Sequence, residues 1–219
     1  MKSNKQFAVI GLGRFGTSVA SALYNLGYEV LAIDADEERI QKFSEEVTHV
    51  VQADTTDENS LKALGIRNFD VVVVAIGEDI QANVLTTLLL KDLGVKYIVA
   101  KARNELHGKM LAKIGADRVV YPERDMGQRV AHNLVSTNVL EYIELSPVLS
   151  IVEITAPKAL VGKSLAETNL RAKYEVNVVA IKRDEELIVP PLPDEKIKPG
   201  DILIFVGHTK GIQKLEELE

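Results

Sequence analysis

The chain has 219 residues, enough for one large or two modest domains, and its 46% apolar and 26% charged residues are ordinary for a globular protein. A net charge of −6 argues against general nucleic-acid binding, which needs a basic face, and the lack of cysteine removes disulfides, thiolate nucleophiles and cysteine-ligated metals. No signal peptide is expected ahead of a first strand starting near residue 6, and apolar runs such as Val71 to Ile76 fall far short of the ~20 residues that span a bilayer.

Residues 6–11 read as the first strand and 14–26 as the first helix, joined by Gly11-Leu-Gly13-Arg14-Phe15-Gly16. Gly11 permits the tight turn, Gly13 lets a pyrophosphate approach the backbone, and Gly16 lets helix and strand pack closely. The helix start adds unpaired N–H groups and a positive dipole end facing the phosphates. Glycines at turns are common. Here the hexapeptide lies between a strand and a helix and ahead of a strand-ending acid, which is the context of a nucleotide site.

Strands follow at 29–34, 49–53, 70–77, 97–101 and 118–121, with helices at 36–47, through 64, at 79–93 and at 104–114. Gly27 and Gly94 are helix stops. The apolar run Val71 to Ile76 is the pattern of a strand covered on both faces. This alternation predicts an α/β, Rossmann-like doubly wound parallel sheet in the order 3-2-1-4-5-6. Ligands of such sheets lie past the carboxyl ends of the strands, so Gly11, Asp34, Asp54, Gly77 and Lys101 are expected around one crevice.

Pro122 opens a helix expected to run to about residue 140, with Met126, Val130, Leu134 and Val135 at helical spacing. Two readings stand for that apolar stripe: cover by its own domain, or by a partner subunit. Beyond Ser146-Pro147 the texture becomes α+β. Strands are expected at 150–155, 176–183, 187–190 and 201–207, a capping box at Ser164 and Glu167, and a closing helix at 210–218. The expected division is 1–122, a nucleotide-binding domain; 123–145, a linker helix; and 146–219, a smaller domain.

Asp34 ends the second strand, where a carboxylate accepts both ribose hydroxyls and repels a 2′-phosphate, disfavouring NADP; the alternative is a solvated cap. Beyond Ala35, Asp36 reads as a plain N-cap that also brushes the ribose. Arg14 opposes the dipole of its own helix unless phosphate charge stands before it. Its guanidinium suggests a third phosphate, or one held across a subunit boundary; the alternative is an exposed arginine without a role. Asp54 and Thr55 lie where an adenine is expected, or simply cap the next helix. Ile76, Gly77 and Glu78 end the fourth strand. Lys101, followed by Ala102 and Arg103, ends the fifth, in reach of phosphate or ribose, with His107 just beyond. Glu123 is either a first-turn acid complementing the helix dipole or a ligand of a divalent ion, magnesium or calcium. An acid beside phosphates is tolerable only with such an ion between them.

Taken together, residues 7–16, Gly65 to Asp70, Val74 to Gly77 with Gln81-Ala82, Lys113 to Asp117 and Pro122 to Met126 resemble the RCK/KTN family, regulators of potassium conductance and transport. Ser150 to Glu153, Leu170 to Tyr174 and Asp201 to Ile204 extend the likeness over nearly the whole chain, and it is greatest to the cytosolic regulatory subunits of bacterial Ktr-type uptake systems. The resemblance implies an N-terminal domain that binds ATP or ADP, and in some members NAD(H). It implies homodimers through the long helix, assembled into an octameric ring at the cytoplasmic face of a membrane potassium-translocating subunit. Arg14 would contact the terminal phosphate, of its own or a neighbour's nucleotide, and Glu123 would meet the phosphates through a divalent cation. The smaller domain looks like an RCK C-terminal domain. In Gram-positive members that domain binds cyclic di-AMP at a dimer interface, and by the resemblance Arg171, Asn177, Val178, Val179 and Pro190 are the candidates here.

The competing readings are a small NAD-dependent dehydrogenase and an NADH-sensing regulator. The second domain is very small for a substrate site, and His49, His107, His132 and His208 form no evident catalytic constellation. No catalytic residue is assigned, and the chain is not expected to be an enzyme. An NADH-sensing repressor would also need a basic recognition helix.

Overall fold

The apolar alternation of the first half becomes six parallel strands in a computed structural model that describes residues 5–44, 46–135, 139–146, 148–216 and 218. Strand β1 (Gln6–Ile10) leads to α1 (Arg14–Asn25), β2 (Glu29–Asp34), α2 (Glu37–Phe43), β3 (His49–Gln52) and α3 (Glu58–Ala63). After a single 3-10 turn come β4 (Val71–Val74), α4 (Ile80–Asp92), β5 (Ile98–Lys101), α5 (Glu105–Ile114) and β6 (Arg118–Val120). The sheet order is 3-2-1-4-5-6, as the sequence predicts. Ala8, Ile10, Val72 and Val74 are buried in one core, while Val9, Ala32 and Val73 are buried in a second on the opposite face. That two-residue period is what burial on both faces requires.

Side-chain caps start the helices where short polar residues precede them. Asp36 accepts from the Glu38 amide, Asp57 from Ser60, Asp79 from Ala82 and Asn104 from His107. Helix α1 differs: its N-cap is Gly13, with no side-chain cap bond and no acid in the first turn.

The next elements are α6 (Pro122–Val135) and β7 (Val139–Ser146). The helix expected to reach residue 140 therefore ends by Val135 as described, and Val139 and Leu140 are strand; residues 136–138 and Pro147 lie outside the described residues. Strand β7 pairs antiparallel with β8 (Leu149–Thr155), and burial of Val139 and Tyr142 draws this stretch into a sheet. Then come α7 (Leu165–Thr168), α8 (Leu170–Tyr174), β9 (Val176–Arg183), β10 (Glu186–Ile188), β11 (Ile202–His208) and α9 (Thr209–Glu216). The second sheet has the order β10-β9-β11-β8-β7, with antiparallel neighbours. Ser164 and Glu167 form the expected capping box.

The chain divides into Met1–Glu123 and Arg124–Glu219, and each unit has its own core. In the second, Arg183 forms a two-bond fork to Asp201, at 2.9 Å for each bond, and Nη1 donates to Glu195 at 2.9 Å. Burial pushes the Asp201 carboxyl upward, but the bonds from Arg183 and the Lys198 amide outweigh it and hold the carboxyl below its usual value.

Candidate functional site

The carboxyl ends of β1 to β5 surround a crevice of about 570 Å³ in the first unit. Fourteen of the candidate residues line it: Gly11, Gly13, Arg14, Phe15, Asp34, Ala35, Asp54, Thr55, Ile76, Gly77, Glu78, Lys101, Arg103 and Glu123.

The three motif glycines have different reasons to be there. Gly11 has φ +96°, and a Cβ on it would lie 2.8 Å from the Ile76 nitrogen. A Cβ on Gly16 would lie 1.8 Å from the Gly11 carbonyl oxygen, so Gly16 supports the turn from below and does not line the crevice. A Cβ on Gly13 would meet no protein atom within 4 Å, and its φ of −75° is open to any residue. The protein's own packing therefore does not demand glycine at 13.

Asp34 is buried. One carboxylate oxygen accepts from the Leu12 amide at 2.6 Å and the other from the Asp36 amide at 2.9 Å, which ties the end of β2 to the glycine turn. Each oxygen has a further lone-pair direction, so ribose hydroxyls remain compatible with these bonds. Arg39 Nη1 stands 3.6 Å from Asp34, and Arg39 also lines the crevice. The sequence reading missed Arg39, along with Ile10, Ala53, Thr56, Ala75, Asp79 and Ala82. For Arg39 the signal was its i+3 spacing from the cap Asp36, which places it on the first turn of α2 above Asp34.

Four candidates do not line the crevice. Besides Gly16, Asp36 caps α2 with its carboxylate, and Ala102 is packed in the core. His107 is buried, its Nδ1 accepting from the Arg103 amide at 3.3 Å, and burial lowers its imidazole pKa. Thr55 lines the crevice, but its hydroxyl is 3.0 Å from that of Thr86 and buried with it. Asp54 bonds the amide and hydroxyl of Thr56, an Asx turn that leads into the α3 cap.

Asn83 is fully buried beneath the crevice. Its amide donates to the Ile76 carbonyl at 2.6 Å and to the Lys101 carbonyl at 3.1 Å, joining the ends of β4 and β5.

At the wall, Lys101 Nζ donates to Glu123 at 2.6 Å. That bond holds the Glu123 carboxyl below its usual value against a counteracting effect of burial, with the charges of Lys101 and Arg14 adding to it. The structure thus gives Glu123 an ion-pair partner that the sequence reading did not foresee. Among the described residues no group of three or more His, Asp or Glu side chains is placed to hold a metal ion by itself. A divalent cation here would be held by one carboxylate together with ligand phosphates, an arrangement usual for magnesium.

Of the second-unit candidates, Asn177 and Val179 are exposed on β9, Val178 packs toward the core, Arg171 is exposed on α8, and Pro190 is exposed two residues past β10. Among the described residues no helix is long and apolar enough to cross a membrane.

A family model described as the TrkA-N domain matches residues 7–122, and one described as the TrkA-C domain matches residues 149–219. A Bacillus subtilis (strain 168) protein named Ktr system potassium uptake protein C is 54% identical over 213 residues, covering 97% of this chain and 96% of that protein. Ktr system potassium uptake protein A of the same organism is 50% identical over 213 residues, with the same coverage of 97% and 96%. Among solved structures, the GsuK channel bound to NAD superposes with a TM-score of 0.69 at 17% identity, covering 99% of this chain and 40% of that one. The GsuK RCK domain gives a TM-score of 0.68 at 19% identity, covering 99% of this chain and 48% of that one. At these identities the two structures speak for the fold alone.

Proposed function

This chain belongs to the RCK/KTN family, whose members carry a TrkA-N and a TrkA-C domain, and from that premise we propose that it is the nucleotide-sensing regulatory subunit of a Ktr-type potassium uptake system. The Rossmann-like fold is shared with dehydrogenases, but the two Bacillus subtilis relatives that match 97% of the chain are named as potassium uptake proteins, not as enzymes. In this reading residues 1–122 bind the nucleotide, α6 crosses over between two copies, and the sheet from β7 onward forms the RCK C-terminal domain. The assembly, a ring of dimers, works in the cytoplasm beneath a membrane potassium-translocating subunit. The second unit is the candidate for cyclic di-AMP, at Arg171, Asn177, Val178, Val179 and Pro190.

The observation that carries the nucleotide reading is the start of α1: an uncapped helix end, an unobstructed Gly13, and a cationic Arg14 where dipole logic favours an acid. ATP and ADP differ by one charged phosphate near that guanidinium. A regulator needs such a difference, because a ligand with equal affinity for both states shifts nothing. NAD(H) fits the same crevice, with its diphosphate at the same amides.

The test is thermal unfolding with ATP, ADP, NAD and NADH, with and without magnesium or calcium. A ligand at a hundred times its Kd adds about 2.7 kcal/mol of apparent stability. ATP and ADP are expected to stabilise the chain to different extents. NADH alone stabilising, with ATP and ADP inert, would sink the gating mechanism and favour the NADH-sensing reading. Co-purification with a membrane subunit tests the partner.

A further inference from the structure

Lys101 is held on three sides inside the crevice. Its side chain is 13% exposed, whereas that of its partner Glu123 is 72% exposed. The ammonium stands 5.7 Å from the centre of the Phe15 ring, over its face. A Cβ on Gly77 would lie 3.2 Å from Nζ, so a side chain at 77 would crowd the ammonium. Glu123 lines the same crevice as Gly13 and Arg14, where the nucleotide reading puts the phosphates. A bare carboxylate there repels phosphate, and two kinds of cation relieve it: a metal ion that arrives with the ligand, or an ammonium already present. Lysine suits the second role because its ammonium is a compact point charge, unlike the broad fork of arginine.

We infer that Lys101 is a resident substitute for a divalent cation at Glu123, and so sets how strongly nucleotide binding depends on metal. Without metal, the ammonium cancels the carboxylate and admits the bare nucleotide. With metal, Glu123 would hold the metal ion and Lys101 would be left to the phosphates. The inference rests on the nucleotide reading above and adds to it the residue that governs whether the free or the metal-complexed nucleotide is accepted.

The experiment is calorimetric titration of ATP into the full-length chain in EDTA and in magnesium chloride. Lys101→Met should weaken binding tenfold or more in EDTA but less than threefold in magnesium, so the ratio between the two arms widens. Glu123→Gln alters an exposed side chain and leaves folding intact; it should bring the two arms within about threefold of each other. In the Glu123→Gln background, Lys101→Met should weaken both arms by the same factor. An equal loss in both arms for Lys101→Met alone would make Lys101 an ordinary phosphate ligand and overturn the inference. No loss in either arm, or a wild-type ratio in Glu123→Gln, would overturn it too. Wild-type protein that binds ATP in neither arm would bring down the nucleotide reading itself.

Discussion

Gly13 and Gly16 look alike in the sequence and stand in opposite situations. Alanine at 16 drives a Cβ into the Gly11 carbonyl at 1.8 Å, contact that only a shift of backbone relieves. Gly16→Ala is expected to cost about 1–3 kcal/mol in stability, as overpacking does, and to show as a lowered denaturation midpoint. Alanine at 13 meets open space, so Gly13→Ala should cost no more than about 1 kcal/mol, the difference between glycine and alanine as an N-cap, while weakening ATP and ADP binding at least tenfold in titration. Retained affinity would remove the ligand from that turn. The spacing of the glycines, the acid ending β2 and the cations Arg14, Lys101 and Arg103 were legible, because each follows from the strand-turn-helix pattern; Arg39 was not. The Lys101–Glu123 pair was not. Its partners are 22 residues apart, on β5 and α6, and no local period links them.

At the scale of elements, the parallel strands were readable because burial on both faces leaves unbroken apolar runs. Strand β7 was not. Its pairing with β8 shifts register between Val139 and Glu141 and again between Glu144 and Ser146, and such bulges erase the two-residue alternation that marks a strand. Helix α8 was hidden for a related reason: Asn169 and Glu175, which flank it, take positive φ values of 51° and 56° where no glycine signals a turn. Helix α6 was legible at its start, and its stripe of Met126, Val130 and Leu134 is exposed, Leu134 at 81%. That exposure fits a helix that meets a second copy of the chain. Val130→Glu should leave the fold intact and shift sedimentation equilibrium toward monomer; an unchanged assembly would move the dimer contact elsewhere.

At the scale of the molecule, the chain has two units with separate cores. The crevice lies wholly in the first unit, so calorimetric unfolding should resolve two transitions, with ATP raising only the one that belongs to residues 1–123. A single transition that moves as a whole would mean that the units melt as one. The crevice itself sits on a riveted floor. With the Asn83 amide spanning the tips of β4 and β5, prising those strands apart would leave that buried amide without its acceptors. The base of the cleft is therefore a fixed anvil. Whatever shape change a bound phosphate provokes has to be expressed at the rim, where α6 begins.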